Sequence, residues 1–250
     1  MALHAKLSAS AAHRWMNCPA SVRLSEGVPH VESPHASLGT MAHSVAAYCL
    51  KHRLPASAIL DDHADSVQFY LDFCRAQKGT HAIEVDLTQA LTQLDPDTGG
   101  TADFVCWTED GKHLLVADFK FGTGVPVAAE DNKQLKIYAL GAMLSLYLRP
   151  ETVEVAIVQP RLEDPEQWVK RHQFRAIDLL DFAADVQEAA VKARLPDAEP
   201  VPGEEQCRWC QAAKAKRCSV AVKTGYRKPA GPRVTADDFA VIDGTVSQQK

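Results

Sequence analysis

Apolar positions in the first third of the chain recur at the spacing typical of helices. The pattern predicts two short helices separated at Pro19, the first of them capped by Ser8 or Ser10. A longer helix is predicted to begin after Gly39-Thr40, and a further helix covers residues 64–77. The chain therefore opens with helices, and strands are expected only after them.

The middle of the chain has the shorter apolar runs that indicate strands. Strands are predicted at 83–87, at 101–107 (TADFVCW), at 113–121 (HLLVADFKF), at 152–161 (TVEVAIVQPR) and, more weakly, at 168–174 (WVKRHQF). Helices are predicted over 130–147 and 176–194. The second of these is expected to direct the following residues inward: Leu179, Leu180, Phe182, Val186 and Ala190. This order of elements predicts an α/β fold with a mixed central sheet flanked by helices.

The composition is that of an ordinary globular protein. The chain has 250 residues, of which 46% are hydrophobic and 24% charged. It has no apolar run near the roughly 18 residues that a membrane helix needs, and its N-terminus lacks the layout of a signal peptide. We therefore expect a cytoplasmic protein without a membrane partner. Its seven cysteines would then be reduced, and would serve as core residues or ligands and not as disulfides.

Positive charge is concentrated near the C-terminus. The net charge of −5 argues mildly against a nucleic-acid partner, but residues 207–236 contain no acid. The basic residues of this segment are Arg208, Lys214, Lys216, Arg217, Lys223, Arg227, Lys228 and Arg233. They could neutralise DNA phosphates, although a solvated basic tail explains them equally well. We expect one domain over 1–220 and a basic, flexible tail over 221–250.

The stretch LLVADFKFGTG places charges at the end of an otherwise apolar strand. Side chains alternate along a strand, so Asp118 and Lys120 share one face. A hairpin turn at Asp110-Gly111 would place Asp103 opposite Asp118, with Cβ atoms roughly 5 Å apart. Two facing carboxylates need cations, which Lys120 and a divalent metal ion would supply. A register shifted by one residue would separate the acids, and solvated charges at a hairpin end remain the alternative.

A lysine beside a carboxylate-bound metal ion suggests hydrolysis of a phosphodiester. The metal ion would polarise the phosphate and lower the pKa of a bound water. Lys120 would position that water and stabilise the charge that develops on the phosphorus centre.

Several motifs carry a resemblance to a known superfamily. GGTADFV followed by VADFKFG resembles the PD-(D/E)XK nuclease pattern. NKQLKIYALGA resembles the Gln-x-x-x-Tyr motif of the RecB-like branch, and GTMAHSVAAY resembles its Gly-Thr-x-x-His motif. Nearly the whole chain to Cys218, including HRWMNCPAS and AIVQPR, is similar to an uncharacterised phage and prophage family of that branch. One departure is Ala47, since relatives often have a Glu four residues after the histidine.

The resemblance implies a restriction-endonuclease-like core and a set of active-site residues. The implied catalytic residues are Asp103, Asp118, Lys120, Gln134 and Tyr138. The implied ligands of Mg²⁺ or Mn²⁺ are His43, Asp103, Asp118 and the carbonyl of Phe119. Gln134 and Tyr138 would hold the lysine or the DNA backbone, or would serve packing alone. His43 could also be an ordinary histidine on a helix surface. Glu84 opens a strand and could approach the site, although a solvated strand end is the favoured interpretation.

The cysteines fall into two groups. Cys49, Cys74 and Cys106 lie on apolar faces and are expected to be core thiols. Cys207-x2-Cys210-x7-Cys218 offers three thiolates, and Cys18 is the natural candidate for a fourth. In RecB-like nucleases, including the AddB type and CRISPR-associated exonucleases, such a set holds a [4Fe-4S] cluster that joins the two ends of the chain. The x7 spacer is longer than usual in that family. A zinc ion on the same thiolates is the rival hypothesis, and metal-free thiols are the remaining alternative.

Together these features predict a metal-dependent DNA exonuclease. It would act on DNA ends in phage or prophage recombination and repair, in the cytoplasm of a bacterial host. Trp209 would stack on bases beside the basic segment. A phage recombinase or single-strand annealing protein is a further candidate partner. The alternatives are a catalytically idle DNA-binding or adaptor protein with the same fold, and a nuclease directed at RNA.

Overall fold

The computed structural model describes residues 5–29 and 34–223. Its helices are α1 (Ala12–Trp15), α2 (Ala20–Ser25), α3 (Pro34–His52), α4 (Ala64–Arg75), α5 (Thr88–Leu91), α6 (Lys133–Ser145), α7 (Asp178–Arg194), α8 (Glu204–Arg208), α9 (Gln211–Lys214) and α10 (Ser219–Lys223). Its strands are β1 (Leu7–Ser8), β2 (Thr80–Asp86), β3 (Thr98–Gly99), β4 (Thr101–Trp107), β5 (His113–Phe119), β6 (Thr152–Val158) and β7 (Val169–Arg175).

A mixed sheet of five strands organises the chain. The strand order is β2-β4-β5-β6-β7, and β1 and β3 form a separate small parallel pair. Within the large sheet β5 and β6 are parallel, whereas the other neighbouring strands are antiparallel. A parallel pair needs a crossover, and α6 supplies it. The predicted α/β fold with a mixed sheet flanked by helices is confirmed.

Helices cover both faces of the sheet. Val116 and Val155 contribute to a core with α6 and α7 on one face. Ala117 and Phe119 contribute to a core with α3 and α4 on the other. Because the central strands are covered on both sides, they are apolar at nearly every position instead of alternating. The charged end of β5 is therefore an exception within a buried strand.

The turn of the β4–β5 hairpin differs from the predicted one. Thr108 donates its N–H to the His113 carbonyl at 3.1 Å, so residues 109–112 form a four-residue loop, where the sequence predicts two. Gly111 adopts a left-handed φ of +67° in this loop, and the Asp110 carboxylate accepts from the Thr108 hydroxyl at 2.6 Å. The longer loop has the same centre as the predicted turn. The predicted register is therefore unchanged.

Two further predictions about helices are wrong. α3 begins at Pro34, several residues before the predicted start at Gly39-Thr40, because Leu38 and Ala42 already pack on its buried face. Leu180 is predicted to face inward but is 62% exposed. Buried positions on a helix recur every three or four residues, and its neighbour Leu179 already occupies the buried face.

The two ends of the described chain meet in space. α8 packs against α1, and α9 packs against α2. The Arg217 guanidinium also donates to the Glu26 carbonyl. Residues 221–223, which the sequence assigns to the tail, belong to α10, and the rest of that predicted tail lies outside the described residues. In the part of the chain that the structure describes, no helix has the length and hydropathy needed to span a bilayer.

Candidate active site

Two carboxylates lie level with each other near the end of the β4–β5 hairpin. The strands pair with Phe104 opposite Ala117, so the next position along places Asp103 level with Asp118. This is the register that the sequence predicts. Asp103 is 9% exposed and Asp118 is 2% exposed. Acids buried to this extent need partners that compensate their charge.

Lys120 follows β5 and provides one of these partners. Its backbone N–H donates to the Val158 carbonyl at 2.9 Å, which keeps residue 120 aligned with the sheet. Its Nζ lies 2.8 Å from Oδ2 of Asp118 and donates to Oε1 of Gln134 at 3.0 Å. The lysine side chain is 28% exposed, so its ammonium group is partly accessible to a solvent-borne substrate.

α6 brings an amide to the same cluster. Asn132 caps this helix by accepting the Leu135 N–H at 3.1 Å, and Leu135 itself is buried in the core. Gln134 Nε2 donates to Oδ1 of Asp118 at 2.7 Å and to the Tyr138 hydroxyl at 3.3 Å. Because its Oε1 accepts from the lysine, this single amide bridges the acid and the base. The geometry favours the predicted role of Gln134 in holding the lysine.

Gly100 explains why the Gly-x-x-Asp and Gln-x-x-x-Tyr motifs occur together. A Cβ atom at Gly100 would lie 2.8 Å from Cε1 of Tyr138, closer than packed carbon atoms allow. The glycine therefore makes room for the tyrosine ring. The ring in turn places its hydroxyl beside Gln134.

α3 brings a histidine to the opposite side of Asp103. Nδ1 of His43 lies 3.1 Å from Oδ1 of Asp103, and the imidazole lies against the Phe119 ring with centroids 5.4 Å apart. The other oxygen of Asp103, Oδ2, accepts the Phe119 N–H at 2.7 Å. Phe119 is also stacked on Tyr70, with ring centroids 4.4 Å apart. Asp103 is thus fixed by one helix and by the neighbouring strand.

The charges of the cluster shift the pKa values of its members. Burial raises the pKa of Asp118, Lys120 opposes this shift, and the charge of Asp103 adds to it, so that the pKa of Asp118 is raised overall. Burial acts to lower the pKa of His43, but the hydrogen bond and charge of Asp103, together with Asp118, outweigh burial and raise it. Burial raises the pKa of Tyr138 as well. The cluster as a whole therefore favours bound cations.

Glu84 lies at this site, which the sequence leaves open while favouring a solvated strand end. The side chain is exposed, but its carboxylate and ligand atoms of His43 and Asp103 all lie within 4.8 Å of one another. Burial and the charge of Asp103 raise the pKa of Glu84. The position of Glu84 follows from the β2–β4 register. No short turn fixes that register, so the sequence offers no direct signal for it.

The four cysteines that the sequence groups together line one cavity. Cys18, Cys207, Cys210 and Cys218 are all buried, and all are free thiols. Backbone N–H groups point at two of the sulfurs: the Val201 N–H lies 3.3 Å from Sγ of Cys18, and the Gly203 N–H lies 3.5 Å from Sγ of Cys207. Burial raises the pKa of the Cys18 thiol, and the contact with the Val201 N–H acts against that shift. Cys49, Cys74 and Cys106 lie elsewhere in the core, as predicted.

The cysteine cavity has a cation beside it. Burial lowers the pKa of Arg14, while Cys210 and Cys18 act to raise it, which places this guanidinium within electrostatic reach of both thiols. Among the described residues, three ligand atoms converge to within 4.8 Å at His43, Glu84 and Asp103, and not among the thiols.

The basic C-terminal segment is described only in part. Arg217 is held at α2 through its contact with Glu26, and Trp209 is 41% exposed. Arg208 pairs with Glu204, so its charge is partly neutralised within α8. The basic residues from Arg227 onward lie outside the described residues.

Fold and site together define an α/β protein with a cluster of acids, a lysine and a histidine beside the end of its β4–β5 hairpin. One protein family matches residues 4–242, which is most of the chain. The chain therefore belongs to this family, DUF2800, which is described as a protein of unknown function.

Proposed function

We propose that this protein is a metal-dependent deoxyribonuclease of the PD-(D/E)XK superfamily, with a restriction-endonuclease-like core. The observation that carries the proposal is the network in which Gln134 joins Lys120 to Asp118 beside Asp103. A buried acid, a lysine and a bridging amide at the end of a hairpin suit phosphodiester hydrolysis, because they offer a cation to the charge that develops on the phosphate.

Mg²⁺ or Mn²⁺ would be held by His43, Asp103, Asp118 and the carbonyl of Phe119. The donor set fits such an ion, since hard divalent cations prefer carboxylate and carbonyl oxygens, and Mn²⁺ also accepts imidazole. Burial and the neighbouring charge of Asp103 raise the pKa of Asp118, and a bound cation would oppose both effects. When bound, the ion supplies Lewis-acid polarisation of the phosphate and a water of lowered pKa.

Lys120 would bind a non-bridging oxygen of the scissile phosphate and stabilise its growing negative charge. Gln134 accepts from the ammonium group and donates to Asp118, so it fixes the direction in which the lysine points. The hydroxyl of Tyr138, one turn further along α6, accepts a hydrogen bond from Gln134 and so helps to fix the orientation of its amide. Positioning of this kind lowers the entropy lost when the reacting groups are aligned.

The cysteine cavity would hold a [4Fe-4S] cluster. Four thiols, two N–H groups directed at sulfur and a nearby arginine suit an anionic cluster. A zinc ion on the same four thiolates is the rival occupant of this cavity. The cluster would link Cys18 to the C-terminal segment.

We further propose that the substrate is DNA ends, in phage or prophage recombination within the bacterial cytoplasm. The basic segment and Trp209 would contact DNA, and a recombinase or single-strand annealing protein would be the partner.

The experiment is cleavage of end-labelled linear DNA by anaerobically purified protein, with Mg²⁺, Mn²⁺ or a chelator, beside covalently closed circular DNA. Metal-dependent loss of nucleotides from linear DNA alone is expected. Binding of DNA without cleavage would contradict the proposed nuclease activity and favour a DNA-binding adaptor protein. Cleavage of RNA but not of DNA would contradict DNA as the substrate.

A further inference from the structure

Glu84 differs from the other two acids of the site in its contacts. Asp103 is contacted by His43, and Asp118 is paired with Lys120. Among the described residues, by contrast, Glu84 makes no hydrogen bond and no ion pair within the hydrogen-bond and salt-bridge network of the site. Its carboxylate nevertheless lies beside Asp103, whose charge acts on it. Two neighbouring acids, of which one is unpaired, leave a negative charge that a cation would neutralise.

The backbone at Glu84 departs from the strand that contains it. Ile83 pairs with Phe104 and Val85 pairs with Ala102, so the residues on either side keep their places in the sheet. Glu84 itself has a φ of +52°, a left-handed conformation that few residues other than glycine adopt. Within β2 the left-handed conformation is confined to Glu84, whose carboxylate lies at the site.

The donor atoms around Glu84 form a set with the chemistry of a metal site. An imidazole nitrogen of His43 and carboxylate oxygens of Glu84 and Asp103 lie within 4.8 Å of one another. Nitrogen and oxygen donors together suit Mn²⁺. Tyr70 lines the same pocket, and its side chain is 2% exposed. Among the described residues its hydroxyl meets no oxygen or nitrogen partner, and it contacts the weakly bonding thiol of Cys74. A buried hydroxyl in this condition indicates a pocket that takes a polar occupant.

We propose that Glu84 is a ligand of the divalent cation, together with His43 and Asp103. Besides His43, α3 lines the pocket with Ala46, Ala47 and Leu50, whose side chains offer no ligand atom, and the carboxylate beside them comes from Glu84 on β2. The inference rests on the proposed function for the identity of the cation. It adds a ligand from β2 that the motifs of the sequence do not contain.

The test is Mn²⁺ binding by isothermal titration calorimetry to the full chain, purified anaerobically. Glu84→Gln is compared with Glu109→Gln, which removes an equal charge from the exposed hairpin loop. Glu84→Gln is expected to weaken Mn²⁺ binding by at least about tenfold. Removing a residue that only hydrogen-bonds to a metal ligand already costs about tenfold or more in affinity, and a direct ligand should cost no less. Glu109→Gln is expected to bind as the wild type does.

The outcomes separate this inference from the proposed function. Wild-type affinity in Glu84→Gln would overturn Glu84 as a ligand and leave the nuclease proposal in place. Absence of Mn²⁺ binding in the wild type would overturn both. Should Glu84→Gln fail to fold, Glu84→Gly suits the left-handed backbone and removes the same carboxylate. It is expected to show the same loss of affinity, and wild-type affinity in that variant would equally overturn the inference.

Discussion

At the scale of single residues, Lys120 offsets part of the cost of burying Asp118. Burial raises the pKa of Asp118, and Lys120 acts against that shift. A carboxylate in this position can take up a proton when its cation is removed, so loss of the lysine need not unfold the protein. The chemical role of Lys120 can therefore be separated from its structural role.

His13 gives a prediction for the dependence of stability on pH. Burial lowers the pKa of His13 from 6.5 to about 4, and the charges of Arg14, Lys120 and Lys133 act in the same direction. The unfolded chain therefore binds a proton that the folded chain does not, and the free energy of unfolding falls as the pH drops from above 6.5 toward 4. At pH 5 we expect this residue to cost up to about 2 kcal/mol relative to neutral pH.

The measurement is chemical unfolding of wild type and His13→Gln at pH 7.5 and pH 5. Glutamine cannot be protonated, so the variant should lose less stability than the wild type on acidification. An equal loss in both proteins would show that His13 is not held neutral in the folded state.

At the scale of elements, α6 and the segment leading into β4 must fit closely. Tyr138 lies so near Gly100 that a methyl group there would meet its ring. Ala9 also lies close, at 3.4 Å from the same position. The position of Tyr138 on α6 therefore requires that residue 100 has no side chain.

We predict that Gly100→Ala destabilises the protein by about 1–3 kcal/mol, the range for forcing extra atoms into a packed core. In a Tyr138→Leu background the same change should cost less, because the atom at 2.8 Å is gone. Denaturant unfolding of the four proteins in this double-mutant cycle measures the difference. Equal costs in both backgrounds would assign the effect to backbone strain at residue 100 and not to the tyrosine.

The elements that could be predicted from the sequence are those fixed by local signals. The β4–β5 register follows from a turn centred at Asp110-Gly111, and that register brings Asp103 level with Asp118. Glu84 could not be placed, because its strand joins β4 through a long connection and its own φ is positive. The exposure of Leu180 was also missed, since an apolar residue at the edge of a helical stripe can face either way.

At the scale of the whole molecule, the two ends of the described chain are joined beside the cysteine cavity. α1 and α2 pack against α8 and α9, and Cys18 shares its cavity with cysteines far along the chain. A site that links such distant segments contributes to the free energy of folding, because the unfolded chain cannot preform it.

We therefore predict a brown protein when it is purified without oxygen, with iron and acid-labile sulfide and with visible absorbance that bleaches in air. Cys18→Ser and Cys210→Ser should lose the colour alike and should melt at lower temperature. Cys74→Ser serves as the control and should keep the colour, since Cys74 lies in another core. One zinc ion per chain without iron would indicate a zinc–thiolate site in place of the cluster. A colourless, metal-free protein would contradict both the cluster and the zinc site.

The most direct test of the account is cleavage of linear DNA by Lys120→Ala in the presence of Mn²⁺. Lys112→Ala is the matched control, because Lys112 is an exposed lysine in the hairpin loop and its ammonium group pairs with Glu151 at the surface. Mn²⁺ binding and melting temperature are measured on the same preparations. We predict that Lys120→Ala remains folded and binds Mn²⁺, yet cleaves at least about a hundredfold more slowly, as expected on removing one group that stabilises transition-state charge. Cleavage by Lys120→Ala at the rate of Lys112→Ala would contradict the assignment of this site as a nuclease centre.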